Sequence, residues 1–181
     1  MRKILCSLVV VGSLFVVPIA GHAFALAQDE AAEAPMLNAD TKDVGSVDGI
    51  MAAIYDVISG AVGEVRDWDR MRSLFIEGGR LIPNTPRGPL LYGVEEYIAR
   101  VDKAFTDNGF FEVELSRKSE RYGNIVHVFS TYAARRTPDG EIFARGINSF
   151  QLVYKDERWW IVNIFWQGET PDTPIPDEYL K

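Results

Sequence analysis

Cysteine and histidine are almost absent from this chain of 181 residues. The one cysteine, Cys6, lies in an N-terminal segment that we expect to be removed, so the remaining chain has no disulfide and no thiolate ligand. The one histidine beyond that segment is His127. A lone histidine does not make a typical zinc site, and no H-E-x-x-H motif is present. We therefore expect no metal and no cofactor, and a fold that rests on its apolar core alone.

Several motifs and a basic surface are also missing. The chain has no G-x-S-x-G elbow, phosphate loop or dinucleotide fingerprint, which disfavours serine-hydrolase, nucleotide and NAD chemistry. Its formal net charge is −7, and without Arg2 and Lys3 there are 17 basic against 26 acidic residues, or −9. This balance disfavours nucleic acid as a partner and also disfavours binding to anionic lipid.

The N-terminus has the three parts of a secretory signal peptide. Arg2 and Lys3 precede an apolar run over residues 4–19, and two A-x-A sites follow, before the polar Gln28. We predict cleavage after Ala27 and export to the periplasm or the medium, with no membrane contact afterwards. The alternative is an uncleaved membrane anchor, although the run is short for a span and contains Pro18.

Composition divides the rest of the chain into three segments. Residues 28–45 are rich in Ala, Asp and Glu and predict a disordered leader. Residues 46–168 carry the periodic apolar patterns of one domain, and residues 169–181 hold three prolines and predict an extended tail.

Within the domain, helical periodicity comes first and alternation second. Ser46 is a plausible N-cap for a long helix whose apolar stripe continues to Val65, and a short helix follows Asp67. A third helix runs from Val94 to about Asp107. Four strands are predicted over 110–119, 124–136, 141–155 and 159–168. Their tight connections favour antiparallel hairpins, so the pattern is that of an α+β fold.

The order of these elements, together with short sequence features, resembles the nuclear transport factor 2-like superfamily and its SnoaL-like branch. The features are the Asp-Trp-Asp of residues 67–69, the Tyr-Gly of residues 92–93 and the Arg-Trp-Trp-Ile-Val of residues 158–162. Residues 145–149 and 166–169 look like those of a bacterial exported subgroup of unassigned activity. The resemblance implies a curved antiparallel sheet wrapped around the long helix as a cone, with two further helices and a pocket at the open end.

Titratable residues on the strands are the first candidates for a site in that pocket. The near-neutral pKa of a histidine would suit His127 to acid-base catalysis, with Asp67 or Asp69 as a partner. Arg145 interrupts an apolar strand and is a candidate for binding an anionic ligand. We expect His127 or Arg145 to reach the cavity. The alternatives are a structurally satisfied histidine, helix-capping aspartates and an ion pair of Arg145 with a carboxylate.

Uncharged residues complete the candidate site. Asn163 and Gln167 share a face of the last predicted strand with Trp159, Ile161 and Phe165, by a count of two residues per repeat. The two amides are candidates for orienting a ligand, or else for hydrogen bonds to a strand end or the tail. Three tyrosines are candidate cavity-lining residues, with plain core packing as the alternative: Tyr55, Tyr92 and Tyr132.

Three functions remain open from the sequence. The first is an exported domain that binds a small apolar molecule with polar groups; the second is a cofactor-independent lyase or isomerase; the third is a structural or assembly module. The predicted strands are apolar on both faces, whereas helices can cover only one. We therefore expect a homodimer packed through the sheet, the alternative being that the tail folds back over the second face.

Overall fold

A computed structural model describes residues 39–181. Within these residues the four α-helices are α1 (Thr41–Val44), α2 (Val47–Ile58), α3 (Trp68–Leu74) and α4 (Val94–Asn108), and a 3₁₀ helix spans Asp177–Tyr179 in the tail. The seven strands are β1 (Phe75–Thr85), β2 (Gly88–Pro89), β3 (Tyr92–Gly93), β4 (Phe111–Tyr122), β5 (Ile125–Arg135), β6 (Ile142–Lys155) and β7 (Arg158–Gly168). None of the helices within residues 39–181 is both long and apolar enough to cross a bilayer.

The strands form one curved, open sheet in the order β2-β1-β7-β6-β5-β4, with β3 paired to β1. The hairpins β4–β5–β6–β7 are antiparallel, as the short connections predict, but β1 joins β7 in parallel. Three single-residue bulges curve the antiparallel part of the sheet, because one extra residue stands in each of β4, β6 and β7. These extra residues are Leu115, Phe143 and Val162. The pairing of β1 with β7 has a further irregularity between Phe75 and Arg80.

Helix α2 packs into the hollow of the sheet and supplies much of the core. Ser46 caps it by accepting a hydrogen bond from the backbone N–H of Gly49 at 2.9 Å, as predicted. The helix ends at Ile58, seven residues before the predicted end, because Gly60 pairs with Phe110 in a short antiparallel bridge. The buried guanidinium of Arg66 fixes this ending by donating to the carbonyl oxygens of Ile58 and Gly60 at 3.0 and 2.8 Å.

The predictions for the N-terminal segments and for the end of the third predicted helix have different outcomes. The signal peptide and most of the leader lie outside the described residues. The end of the predicted disordered leader is wrong, since residues 41–44 form α1 and Val44 is a buried member of the core. Helix α4 stops at Gly109, as predicted; the φ of +65° there favours glycine, and an added Cβ would lie 2.6 Å from the Arg136 carbonyl oxygen.

Candidate functional site

A cavity of about 390 Å³ opens between α2, α4 and the concave face of the sheet. Its wall is mostly apolar and aromatic, as is usual for small-molecule sites. Contributors from the helices and the sheet include Ile54, Ile58, Met71, Phe105, Phe110, Ile164 and Trp166. Phe105 and Phe110 stack face to face at 4.1 Å between ring centroids, and Tyr97 meets Trp166 edge-on at 6.1 Å.

One carboxyl group, that of Glu112, lies inside this apolar cavity. Glu112 stands near the start of β4, opposite Ala134 of β5, and part of its side chain faces the cavity. Burial raises the pKa of the Glu112 carboxyl to about 7, and a hydrogen bond from Asn148 offsets part of that rise. Glu112 is therefore poised to exchange a proton close to neutral pH.

A buried hydrogen-bond network fixes one carboxyl oxygen of Glu112. The Asn148 Nδ2 donates to Glu112 Oε1 and to the Tyr55 hydroxyl, both at 3.1 Å. The Ser130 hydroxyl donates to Glu114, so the Tyr55 hydroxyl is the donor in its 2.7 Å contact with Ser130 Oγ. Both hydrogens of the Asn148 amide are thus committed, which fixes the orientation of Glu112.

Two tyrosine hydroxyls reach the same part of the cavity. Burial raises the pKa of Tyr97, and the nearby Glu112 and Tyr132 raise it further. Burial and Glu112 likewise raise the pKa of Tyr132. Tyr132 fits because its cross-strand partner is Gly146, where an added Cβ would lie 2.7 Å from the Tyr132 hydroxyl oxygen. Both hydroxyls stay protonated and can donate a hydrogen bond to a ligand oxygen.

The structure places the three predicted tyrosines, Tyr55, Tyr92 and Tyr132, in the cavity wall. Tyr55 also belongs to the network behind Glu112, whereas Tyr92 lies near the rim, where the guanidinium of Arg100 sits 5.5 Å from its ring centroid. These tyrosines therefore do more than fill the core.

His127 and Arg145 lie on the convex face of the sheet, outside the cavity, so the expectation that one of them reaches it is wrong. The His127 Nε2 makes a 3.1 Å contact with Ser149 Oγ, and its ring packs edge-on against Phe129. Arg145 pairs with Glu169 at 2.8 Å, which is the alternative that the sequence left open. Both residues face outward because they alternate with buried neighbours that face the core.

Asp67 and Asp69 lie at the start of α3, away from the cavity. Asp67 is the N-cap and accepts from the Arg70 backbone N–H at 2.9 Å, so helix capping is confirmed. Asp69 pairs with Arg72 at 2.7 Å. Both line a separate polar hollow beside α1, and neither comes near His127 in a catalytic arrangement.

Asn163 and Gln167 also face away from the cavity. The bulge at Val162 shifts the alternation of β7 by one residue, so that Ile161 and Ile164 both point inward. The predicted common face of the two amides with Trp159 and Ile161 is therefore wrong. Gln167 instead accepts a hydrogen bond from Asn84 and borders a groove under the C-terminal tail.

Sequence reasoning missed Glu112, Asn148 and Tyr97. Glu112 begins an alternating polar series that is typical of a solvent-exposed strand face. The series is Glu112, Glu114, Ser116, Lys118 and Glu120. The bulge at Leu115 divides this series, sending its first two members inward and the others outward. Asn148 and Ser149 form a polar pair between the apolar Ile147 and Phe150. A polar pair within an otherwise apolar strand is the signal that could have identified Asn148.

Within residues 39–181, no three histidine, cysteine, aspartate or glutamate side chains come together as a candidate metal site. The polar residues that line the cavity are Glu112, Asn148, Thr85, Arg100 and four tyrosines.

The open curved sheet, packed helices and enclosed cavity define a nuclear transport factor 2-like, or cystatin-like, fold. Solved structures agree with this class. A protein of unknown function with a cystatin-like fold from Nostoc punctiforme aligns with a TM-score of 0.54 at 12% identity, covering 67% of this chain and 87% of that one.

Two further structures give the same result. A protein of unknown function from Mycobacterium tuberculosis aligns with a TM-score of 0.55 at 15% identity over 71% of this chain and 73% of that one. An NTF2-like protein of unknown function from Shewanella baltica aligns at 0.50 and 11% identity, over 67% and 89%. No family profile matches the chain, and no curated protein matches it. At these identities the likeness shows the fold alone.

Proposed function

We propose that this protein is an exported domain that binds a small, mainly apolar molecule in the cavity around Glu112. The observation that carries the proposal is a preformed apolar cavity of about 390 Å³ with few polar groups, of which Glu112, Tyr97 and Tyr132 lie close together. Glu112 accepts from Asn148 through one oxygen only, so its second carboxyl oxygen, together with Tyr97 and Tyr132, is offered to a ligand.

A fluorescent probe tests this proposal. N-phenyl-1-naphthylamine is neutral and apolar and brightens on entering an apolar site. We expect saturable binding to the wild-type domain. Ala144→Trp places a large ring in the cavity wall and should weaken binding at least about tenfold, since a filled cavity leaves no room for the probe. The matched control is Ile125→Trp on the exposed convex face, which should bind as wild type does. Unchanged binding to a folded Ala144→Trp variant would contradict the proposal.

A second function, cofactor-independent proton transfer as in a lyase or isomerase, is favoured by the pKa of Glu112. A carboxyl group with a pKa of about 7 can both accept and return a proton at neutral pH, and two phenols beside it can stabilise a developing negative charge. In this reading Glu112 takes the role that the sequence suggested for His127.

The two readings differ in what Glu112→Gln does. For an enzyme, the variant should retain probe binding but lose roughly 10²–10⁴-fold in turnover, with a wild-type pH–rate midpoint near 7. For a binding protein, the variant should change affinity alone. An enzyme assay in which Glu112→Gln keeps full turnover would exclude the catalytic role.

Export rests on the sequence of residues 1–27, which lie outside the described residues. We expect N-terminal sequencing of the protein from cells to start at Gln28, or nearby at Leu26. An intact Met1 on a soluble cytoplasmic product would contradict export.

A further inference from the structure

We propose that the cavity's ligand is an amphipathic carboxylic acid whose carboxylate is bound by Arg100 at the cavity rim. This inference rests on the proposed function and specifies its ligand class. The ligand's apolar body would fill the cavity, and its neutral end would lie toward Glu112.

Helix α4 brings Arg100 to the cavity. Four residues of α4 line the wall at helical spacing: Tyr97, Arg100, Val101 and Phe105. Arg100 is solvent-exposed although it lines the cavity, whereas Tyr97 and Phe105 are partly buried, so the guanidinium stands at the rim.

The acidic side chains of α4 are all engaged elsewhere. Glu95 binds Arg72 at 2.6 Å, and Glu96 accepts from the Gly93 backbone N–H at 2.8 Å. Asp102 accepts from the Trp68 indole at 2.7 Å, and Asp107 pairs with Lys103.

Arg100 itself has no ion pair among residues 39–181. Its contact there is with the ring of Tyr92, whose centroid lies 5.5 Å from the guanidinium carbon. This cation–π contact places the guanidinium beside the opening while leaving its N–H groups free to donate.

The geometry of the guanidinium selects the ligand's charged group. Its planar fork matches a carboxylate through two parallel hydrogen bonds. The interior selects the orientation, because an anion buried beside Glu112 in an apolar wall would lack a cationic partner. The carboxylate therefore stays at the rim and the apolar part enters. A volume of about 390 Å³ suits a medium-chain or aryl-substituted acid.

Displacement of N-phenyl-1-naphthylamine by decanoate and by methyl decanoate at pH 8 tests the inference. The two probes share a chain and differ in charge. For wild type we expect decanoate to bind about tenfold or more tightly than its ester, as a charge-assisted pair predicts. Arg100→Gln should remove this preference, so that decanoate and its ester bind the variant about equally. Lys103→Gln, which removes a charge one turn along the same helix but outside the cavity wall, should keep the preference.

The possible failures separate the two proposals. If both probes bind wild type equally, or if Arg100→Gln keeps the preference, the carboxylate inference is wrong and the proposed function stands. If neither decanoate, its ester nor the fluorescent probe binds wild type, the proposed function fails and the inference fails with it.

Discussion

The two faces of the sheet use their polar side chains for different tasks. On the concave face, Ser130 and Asn148 are at most 6% exposed and are bonded to Tyr55 of α2 and to the carboxylates of β4. On the convex face, polar groups hold the C-terminal tail: Thr131 donates to the Tyr179 carbonyl oxygen at 2.6 Å, and Arg145 binds Glu169.

This difference shows which polar groups can take part in chemistry. The concave groups surround a cavity and shift the pKa values of their neighbours, because burial removes water that would otherwise screen them. The convex groups are satisfied by one another or by the tail, and His127, Arg145 and Ser149 are only partly buried, although Thr131 is 1% exposed. The concave face is therefore the functional side in this account, and the convex face is a surface for the tail or a partner.

The largest expected effect concerns the pH dependence of stability. Folding raises the pKa of Glu112 from about 4.5 to about 7, so the folded protein binds a proton that the unfolded chain has lost in that window. The free energy of unfolding should therefore fall as the pH rises from about 4.5 to 7, by at most about 3 kcal/mol from this group.

Glu112→Gln removes the titrating group, so its stability relative to wild type should increase across the same window and then level off. Urea unfolding at several pH values measures this difference. Glu120→Gln, at an exposed site on the same strand, is the control and should show no such increase. Parallel pH profiles for wild type and Glu112→Gln would contradict the assignment.

The next effect compares one serine on each face. Ser130 is 0% exposed, and Ser130→Ala removes the acceptor of the buried Tyr55 hydroxyl and a donor to Glu114, so we expect a loss of about 2 kcal/mol. Ser149→Ala removes only the half-exposed contact with His127 and should cost less than about 1 kcal/mol. Equal losses in chemical denaturation would remove the distinction between the faces.

A smaller effect concerns the tail. Ile175 is buried and Tyr179 packs on Phe129, so the tail covers part of the convex face, while Ile125 and Phe165 stay 55% and 42% exposed. Deleting residues 170–181 removes the buried Ile175 and the hydrogen bonds that Ser116, Thr131 and Glu169 make to the tail, and should cost roughly 1–2 kcal/mol in urea unfolding.

The homodimer through this face stays a prediction from the sequence. We expect light scattering at micromolar concentration to give a dimeric mass for the mature protein, because the apolar side chains that the tail leaves exposed favour a partner. A monomeric mass that persists after deletion of residues 170–181 would exclude it.

The smallest effect is expected at His127. His127→Ala should leave the affinity for N-phenyl-1-naphthylamine within about twofold of wild type, since the ring faces away from the cavity. A large loss of affinity in His127→Ala would contradict the cavity as the binding site and would indicate a site on the convex face.

The fold was predictable because its signals are local. The Ser46 cap and the Gly109 stop each act within a few residues and are confirmed, and the periods locate α2, α4 and β4 to β7, although α2 ends at Ile58 rather than Val65. The parallel pairing of β1 with β7 was not predictable, because it joins segments some 80 residues apart without a local sequence signal.

The site was less predictable because bulges reset which face a strand residue occupies. Counting by twos from Trp159 puts Asn163 inward, whereas the bulge at Val162 turns it outward. Glu112 begins a polar series with the pattern of a solvent-exposed face, which predicts that it points outward. The bulge at Leu115 divides that series, so that Glu112 points inward. The sequence favours His127 because the ordinary pKa of a histidine lies near neutral. In the structure, burial raises the pKa of the Glu112 carboxyl to about 7 inside the cavity.

Methyl NMR during ligand titration tests the central claim most directly, because isoleucines mark both faces. Ile54, Ile58 and Ile164 line the cavity, whereas Ile125 and Ile147 lie on the convex face. The account predicts that N-phenyl-1-naphthylamine or decanoate shifts the methyl resonances of the first three and leaves those of the other two in place. Shifts confined to Ile125 and Ile147, with the cavity methyls unmoved, would contradict it.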